Sequence, residues 1–220
     1  MSRNLFSEEL QKLRHDILTM GTLVEENLSK ALTALKTHNK ELAKETRRKD
    51  VGVNELQRKI EDDTAILIAT QQPVARDLRE LVTILKLTIN LERVGDHAEH
   101  LAKAAQKLAK SGDSPFRAQE YLERMAETGK KMLRASISAY LQQDAKAARE
   151  AAALDCKIDE AHKALTEDVL KLMKKHPDLV KGAFQILRTS NQLERLGDHV
   201  TNICEAIVYM VEGTREELNE

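Results

Sequence analysis

The sequence predicts an all-α protein built from two tandem, duplicated three-helix bundles. Its 220 residues include 41% hydrophobic side chains but only 3% aromatic ones, with 8 glycines and 3 prolines. A composition with so few helix breakers is typical of long amphipathic helices. Apolar residues recur at steps of three and four, which favours near-parallel packing of helices in a bundle. The two halves also match each other in sequence, which indicates a duplication.

Turn-forming residues divide the chain into six predicted helices. Pro73 and Pro177 each stand at the start of a helical pattern, a position that tolerates proline. The segments "THN" at 37–39 and "QQD" at 142–144 predict tight turns, and "KSGDSPF" at 110–116 predicts a linker. The predicted helices are 7–37, 40–71, 73–110, 116–142, 144–175 and 177–212, and the two repeats are 1–112 and 113–220.

Two neighbouring rows of residues run along the third predicted helix. The first is apolar throughout: Ile84, Leu87, Leu91, Val94, Ala98, Leu101 and Ala105. The second begins apolar and ends acidic: Leu78, Val82, Leu85, Ile89, Glu92 and Asp96, matched in the sixth helix by Val180, Phe184, Leu187, Asn191, Glu194 and Asp198. Because the carboxylates continue a row that packs against other helices, we expect them at the edge of each bundle.

The motifs "LERVGDH" at 91–97 and "LERLGDH" at 193–199 carry the strongest repeat signal, with an offset of 102 between Leu91 and Leu193. Each motif places a glutamate four residues before an aspartate, so two negative charges lie one helical turn apart. Such a pair destabilises an exposed helix by about 0.2–0.5 kcal/mol, and partial burial favours uptake of a proton by one carboxyl. Arg93 and Arg195 are expected to point about 100° away from the preceding glutamate, so a metal ion fits the two carboxylates better.

The second helix of each repeat supplies further oxygen ligands. Asp155 and Asp159 share the four-residue spacing, and Asp50 and Asn54 take the matching positions in the first half. Oxygen-rich clusters suit divalent or trivalent ions such as Mg²⁺, Mn²⁺ or iron rather than a zinc–thiolate site. The candidate ligands are Asp50, Asn54, Glu92 and Asp96 in one half and Asp155, Asp159, Glu194 and Asp198 in the other, with His100, His162 and Asn202 as possible additions. Because Asn54 is uncharged, we expect weaker binding in the first half.

Two other positions repeat within the motifs. His97 and His199 follow the aspartates and point elsewhere on the helix, so we expect exposed or supporting histidines rather than ligands. Gly95 and Gly197 each cost about 1 kcal/mol relative to alanine inside a helix. Their repetition predicts a close approach between helices or access to the acidic face.

Charge and hydropathy exclude several classes of protein. The 35 basic residues balance 36 acidic ones, so no strong global field attracts nucleic acid or anionic lipid. No apolar run reaches the roughly 18 residues of a membrane span, and "MSRNLFSEELQKLR" lacks the apolar segment of a signal peptide. The sequence also shows no nucleophile–base constellation and no phosphate-cradling glycine-rich loop. We therefore expect a soluble cytoplasmic protein that is not an enzyme, binds no nucleic acid and does not insert into a membrane.

The extended motifs "LERVGDHAEHLAK" and "LERLGDHVTNICE" resemble the paired Glu-Arg-x-Gly-Asp signatures of the PhoU family of phosphate-signalling accessory proteins. The segment "QQPVARDLRELVTILK" at 71–86 resembles that family's start of the third helix, whereas the second half reads "HPDLVKGAFQIL". The likeness covers essentially the whole chain. It implies two three-helix bundles side by side with multinuclear metal sites at Glu-or-Asp-x-x-x-Asp motifs. By this resemblance, the motif residues are Asp50, Glu92 and Asp96 in the first half and Asp155, Asp159, Glu194 and Asp198 in the second. Asn54 departs from the family pattern.

The resemblance also implies a role. Members of the family restrain phosphate uptake and silence the phosphate-starvation response when phosphate is plentiful. They bridge the ATPase subunit of the Pst phosphate transporter and the sensor histidine kinase PhoR, which would bring the protein to the inner face of the membrane. We further expect a homodimer.

Two alternatives stay open. In one, the acidic pairs are solvated and the protein is a metal-free helical scaffold. In the other, the chain is a carboxylate-bridged di-iron enzyme. Such enzymes carry Glu-x-x-His motifs on two of four helices, and here only Asp159-x-x-His162 comes near that pattern.

Overall fold

The computed structural model describes residues 2–37, 39–108 and 118–219, with their side chains except at 2, 3, 48–50 and 108. These residues form seven α-helices, one 3-10 turn and no strand, which confirms the all-α prediction. The helices are α1 (Ser2–Thr37), α2 (Lys40–Gln71), α3 (Ala75–Leu108), α4 (Ala118–Gln142), α5 (Ala145–Ala152), α6 (Asp155–Lys175) and α7 (Val180–Glu212), with the 3-10 turn at Pro177–Leu179. The predicted linker and the boundary between 112 and 113 lie outside the described residues.

Two groups of helices pack side by side. The helices α1, α2 and α3 contact one another in the first group, and in the second group α4 and α7 each contact the other three helices. The two groups meet mainly along α3 and α7, with a smaller contact between α1 and α4. The predicted apolar stripe of α3, from Ile84 to Ala105, is confirmed as core, since its seven side chains are 0–1% exposed. No helix in the described ranges combines the length and the apolar character needed to cross a membrane.

The predicted turns are closed by helix caps. The side chain of Asn39 accepts hydrogen bonds from the backbone N–H groups of Glu41 and Leu42 at the start of α2. Asp144 accepts one from the backbone N–H of Ala147 at the start of α5. Both satisfy backbone donors that a helix leaves unpaired in its first turn.

The proline positions differ slightly from the prediction. Pro73 precedes α3 by two residues, and Pro177 begins the 3-10 turn that leads into α7. In both places the missing N–H of proline falls before the regular helical ladder.

The predicted continuous helix 144–175 is wrong in one place. Ala153 and Leu154 form a tight turn in which the N–H of Leu154 donates to the carbonyl of Ala151 at 3.2 Å. This bond spans three residues instead of four, so the chain changes direction between α5 and α6. No glycine or proline marks the turn in the sequence. Its consequence is that Asp155 becomes the first residue of α6, facing α7.

The interface between α3 and α7 contains a symmetric exchange of hydrogen bonds. The Nδ1–H of His97 donates to the side-chain oxygen of Gln192 at 2.9 Å, and the Nδ1–H of His199 donates to that of Asn90 at 3.0 Å. The same repeat offset of 102 relates His97 to His199 and Asn90 to Gln192. Each half therefore supplies one histidine and one amide to the other half, as in an isologous contact between two subunits.

The expectation of exposed histidines is wrong for this pair. His97 is 7% exposed, and its ring stacks on that of His199 with centroids 5.4 Å apart. Burial lowers the pKa of His97, and burial together with the neighbouring His97 lowers the pKa of His199 to about 4. Both rings are neutral donors whose partners, Gln192 and Asn90, are not candidate metal ligands, so the two histidines join the halves of the molecule.

Candidate metal centre

In the second half, four carboxylates from two helices line one open groove. Asp155 and Asp159 come from α6, and Glu194 and Asp198 come from α7. The groove encloses about 630 Å³ and is also lined by Cys156. The four side chains that the sequence grouped by helical spacing are therefore neighbours in space.

Asp155 is the buried member of this cluster. It is 6% exposed, and its Oδ2 accepts a hydrogen bond from the hydroxyl of Thr201 at 3.0 Å. Its other oxygen, Oδ1, is buried with no hydrogen-bond partner. Burial, reinforced by the nearby charges of Asp159 and Asp198, raises the pKa of Asp155 to about 7. A buried carboxylate oxygen without a partner is costly unless a proton or a cation satisfies it.

Gly197 makes room for Asp155. A Cβ atom at position 197 would lie 2.2 Å from Oδ1 of Asp155 and 3.1 Å from Cδ1 of Ile158. Any side chain larger than hydrogen would push the carboxylate out of its position against α7. The predicted close approach is confirmed at this glycine.

Glu194 and Asp198 are less buried than Asp155, but their pKa values shift in the same direction. Burial raises the pKa of Glu194, with Asp198 as the next cause, and burial followed by the charge of Asp159 raises that of Asp198. His162, whose Nδ1 lies 3.1 Å from the hydroxyl of Ser190, opposes the shift at Glu194. The cluster is thus an excess of negative charge in a partly desolvated groove.

The four carboxylates line the groove without converging on one point. Among the described residues, no group of three or more histidine, cysteine or acidic side chains has the spacing of a formed metal site. Binding of a cation would therefore require side-chain rotation. The unpaired Oδ1 of Asp155, the space left by Gly197 and the oxygen-only donor set fit a hard cation.

The first half differs from the second. Glu92 and Asp96 lie at the bundle edge with 17% and 35% of their side chains exposed. Arg93 reaches both, at 3.6 Å from an oxygen of each. The expectation that Arg93 points away is wrong, because its long flexible side chain curls back over the helix. Asn54 lies half-buried on α2, and the side chain of Asp50 falls outside the described residues.

Two possible extra ligands lie elsewhere. His100 lines a separate cleft with Lys103 and Arg188, and Asn202 lines another with Lys86 and Tyr209. The sequence analysis did not identify Thr201, the hydrogen-bond donor to Asp155. The one available signal is its position three residues after Asp198, which places it on the same face of α7. The segment 217–219, which lines the groove, was missed as well, because nothing in its sequence places it there.

Comparison with known proteins decides the family. The PhoU domain family matches residues 17–105 and 122–207. The chain belongs to the PhoU family. A PhoU homolog of the phosphate-specific transport system from Clostridium acetobutylicum is 32% identical over 221 residues, covering 100% of both chains.

Solved PhoU structures share the whole architecture. The crystal structure of PhoU from Pseudomonas aeruginosa superposes with a TM-score of 0.92 at 33% identity, covering 95% of this chain and 100% of that one. PhoU from Streptococcus pneumoniae, described as a phosphate transport system regulatory protein, gives 0.87 at 34% identity, with 96% and 99% covered. The all-helical PhoU fold expected from the two motifs is confirmed.

The substitution Gly197→Ala tests the close approach. The added methyl group must displace Asp155 or α7, so we expect the free energy of unfolding to fall by about 1–3 kcal/mol, measured by urea denaturation. Gly52→Ala is the matched control, because a Cβ there meets nothing within 4 Å. Helix propensity alone should make that control more stable by about 0.5–1 kcal/mol. Equal effects of the two changes would contradict the contact.

The substitution Asp155→Asn tests the unsatisfied charge. The raised pKa means that the folded state holds a proton the unfolded state releases near pH 4, so the native protein loses stability as pH rises toward about 7. Asparagine does not titrate. In chelator-treated protein, we expect the stability gained by the substitution to be about 2 kcal/mol larger at pH 8 than at pH 5. Thermal unfolding at both pH values measures this, and an unchanged gain would exclude a buried ionised Asp155.

Proposed function

We propose that the chain is a metal-binding helical adaptor that restrains phosphate uptake and the phosphate-starvation response. In this proposal it contacts the ATPase subunit of the Pst transporter and the sensor kinase PhoR at the cytoplasmic face of the membrane. Support comes from the relatives, which are named as accessory or regulatory proteins of a phosphate transport system.

The observation that carries the metal proposal is the state of Asp155. Its buried Oδ1 has no donor, and it shares a groove with Asp159, Glu194 and Asp198. Several carboxylates in a partly desolvated groove repel one another, and a cation converts that repulsion into attraction. The oxygen donors suit Mg²⁺, Mn²⁺ or iron. Bound there, the ion would tie α6 to α7.

The adaptor proposal rests on exposed apolar surface, because the second row of α3 and α7, which the sequence predicts to pack against other helices, is partly exposed. Exposed apolar side chains on α3 and α7 precede the acidic pairs along each helix: Leu78 and Ile89 in the first half, and Val180 and Phe184 in the second, with exposures of 38%, 47%, 41% and 53%. Large apolar side chains in rows on a helix are a common feature of protein–protein contacts. A partner that covers such a row would also meet the carboxylates at its end.

A metal-free role is favoured for the first half by one observation. Arg93 lies 3.6 Å from both Glu92 and Asp96, so a protein cation already offsets their charges. The surface position of this pair makes the contribution modest, about 0–1 kcal/mol. Arg195 opposes the raised pKa of Glu194 and Asp198 in the second half. The two halves would then differ in metal affinity through Asn54 and through the ion pairs of Arg93.

Removal of the α7 carboxylates tests the metal site. Glu194→Gln combined with Asp198→Asn keeps the shape of both side chains but removes two charged ligands, so we expect metal affinity of the second half to fall about 100-fold or more. Metal content by elemental analysis and titration calorimetry of chelator-treated protein measure the change. Glu92→Gln combined with Asp96→Asn is the matched control and should have a smaller effect. Unchanged metal content in the α7 variant would place any metal site elsewhere.

Deletion of the gene tests the regulatory role. We expect the deletion strain to express phosphate-starvation genes strongly in phosphate-rich medium, because no adaptor then links transporter and kinase. The native chain should restore silencing, and Phe184→Glu should not, since a charge breaks an apolar contact. Normal silencing in the deletion strain would refute the regulatory role without affecting the fold. Transcript levels of starvation genes provide the measurement.

A further inference from the structure

A small basic cleft opens between α3 and α7, away from the carboxylate groove. Its walls are His100, Lys103 and Lys107 on α3 and Gln185, Arg188 and Gln192 on α7. It encloses about 120 Å³, which corresponds to about four water molecules at liquid density. The cleft is therefore of the size of a small hydrated ion rather than of an organic cofactor.

The charge of this cleft has one sign. Three of its lining residues are lysine or arginine, and no lining residue in the described part of the chain is acidic. Lys103 forms an ion pair with Glu99 on its own helix at 2.5 Å. Within the described part of the chain, no ion pair joins Lys107 or Arg188 to a carboxylate. Like charges this close repel one another, so an anion bound among them would be stabilised.

A neutral donor faces the same cleft. The side-chain oxygen of Gln192 accepts two hydrogen bonds, from Nδ1 of His97 at 2.9 Å and of His100 at 2.8 Å. Because its oxygen accepts both of these bonds, Gln192 can donate to a ligand through its NH₂ group. A fixed amide donor beside two cations suits an oxyanion, which has acceptor atoms only or nearly so.

The repeat produces a second, matching cleft on the other side of the α3–α7 contact. The α7 residues of that cleft are Asn202, Glu205, Ala206 and Tyr209, each 102 positions after His100, Lys103, Ala104 and Lys107. On α3, Lys86 and Asn90 correspond in the same way to Arg188 and Gln192. The two clefts are thus one structural feature present twice.

In the second cleft, the C-terminal segment of the chain forms part of the wall. After the left-handed turn at Gly213, with φ of 80°, the chain folds back. The N–H of Leu218 donates to Glu205 at 2.8 Å, and the guanidinium of Arg215 lies 5.8 Å from the ring centre of Tyr209. Glutamates 216 and 217 also line this cleft. Lysines 103 and 107 of the first cleft have been replaced here by residues that hold the segment.

We propose that the first, basic cleft binds a small doubly charged oxyanion, either inorganic phosphate or the phosphate group of a phosphorylated small molecule. Arg188 and Lys107 supply charge from opposite walls, and Gln192 supplies a neutral donor. In the other half the equivalent cleft is lined by the C-terminal segment, which brings Glu216 and Glu217 to it. This site is independent of the carboxylate groove and of the metal.

Titration calorimetry on the full chain at low ionic strength tests the proposal with two probes, inorganic phosphate and glycerol 3-phosphate. Arg188→Ala and Lys107→Ala should each weaken binding by about tenfold or more, because each removes a charge-assisted hydrogen bond. Arg188→Lys should restore part of the affinity. Lys86→Ala is the matched control at the equivalent position of the second cleft, which glutamates line, and it should leave the affinity unchanged. Thermal unfolding verifies that each variant is folded. If Arg188→Ala does not fold, Lys107→Ala still tests the proposal.

The outcomes separate the two sources of the ligand. Binding of phosphate alone supports free inorganic phosphate, whereas binding of glycerol 3-phosphate, with or without phosphate, supports a phosphorylated small molecule. No measurable binding of either probe overturns the proposal. Binding that Lys86→Ala weakens as much as Arg188→Ala also overturns it, because the anion would then respond to surface charge in general.

Discussion

The contact between α3 and α7 is the constraint on which the rest of the molecule depends. These helices carry both acidic motifs, and they form the main contact between the two groups of helices. The paired exchange from His97 to Gln192 and from His199 to Asn90 fixes their register, since a shift by one residue would break both bonds. Once that register is set, each acidic pair points toward its own bundle edge.

The register also explains why the carboxylate groove lies where it does. One face of α7 is used by the contact with α3, so Glu194 and Asp198 are left to face α6. The turn at Ala153 and Leu154 then brings Asp155 against Gly197, where a hydroxyl from Thr201 satisfies only one of its two oxygens. The excess negative charge of the groove is therefore built into helix packing and is not an accident of surface composition.

Much of this arrangement could be predicted from the sequence, and the reasons are physical. The buried stripe of α3 and the four-residue spacing of the carboxylates follow from helical periodicity alone, which a sequence displays directly. The turn between α5 and α6 could not be predicted, because its residues are good helix formers and only tertiary packing bends the chain there. The reach of Arg93, the donor Thr201 and the folded-back segment after Gly213 depend on side-chain conformation and on contacts between distant residues. Periodicity contains no information on these.

The near-symmetry of the α3–α7 contact has a consequence for how such a chain can evolve. In a homodimer of single bundles, every substitution at the contact appears on both sides at once, so two matching clefts must stay identical. A chain that carries both bundles in one gene escapes this coupling. Lysine at 103 and glutamate at 205 occupy equivalent places, and they have diverged to opposite charge while the histidine–amide exchange between them stayed intact. Fusion thus lets natural selection keep a dimer's packing and specialise each of its ends separately.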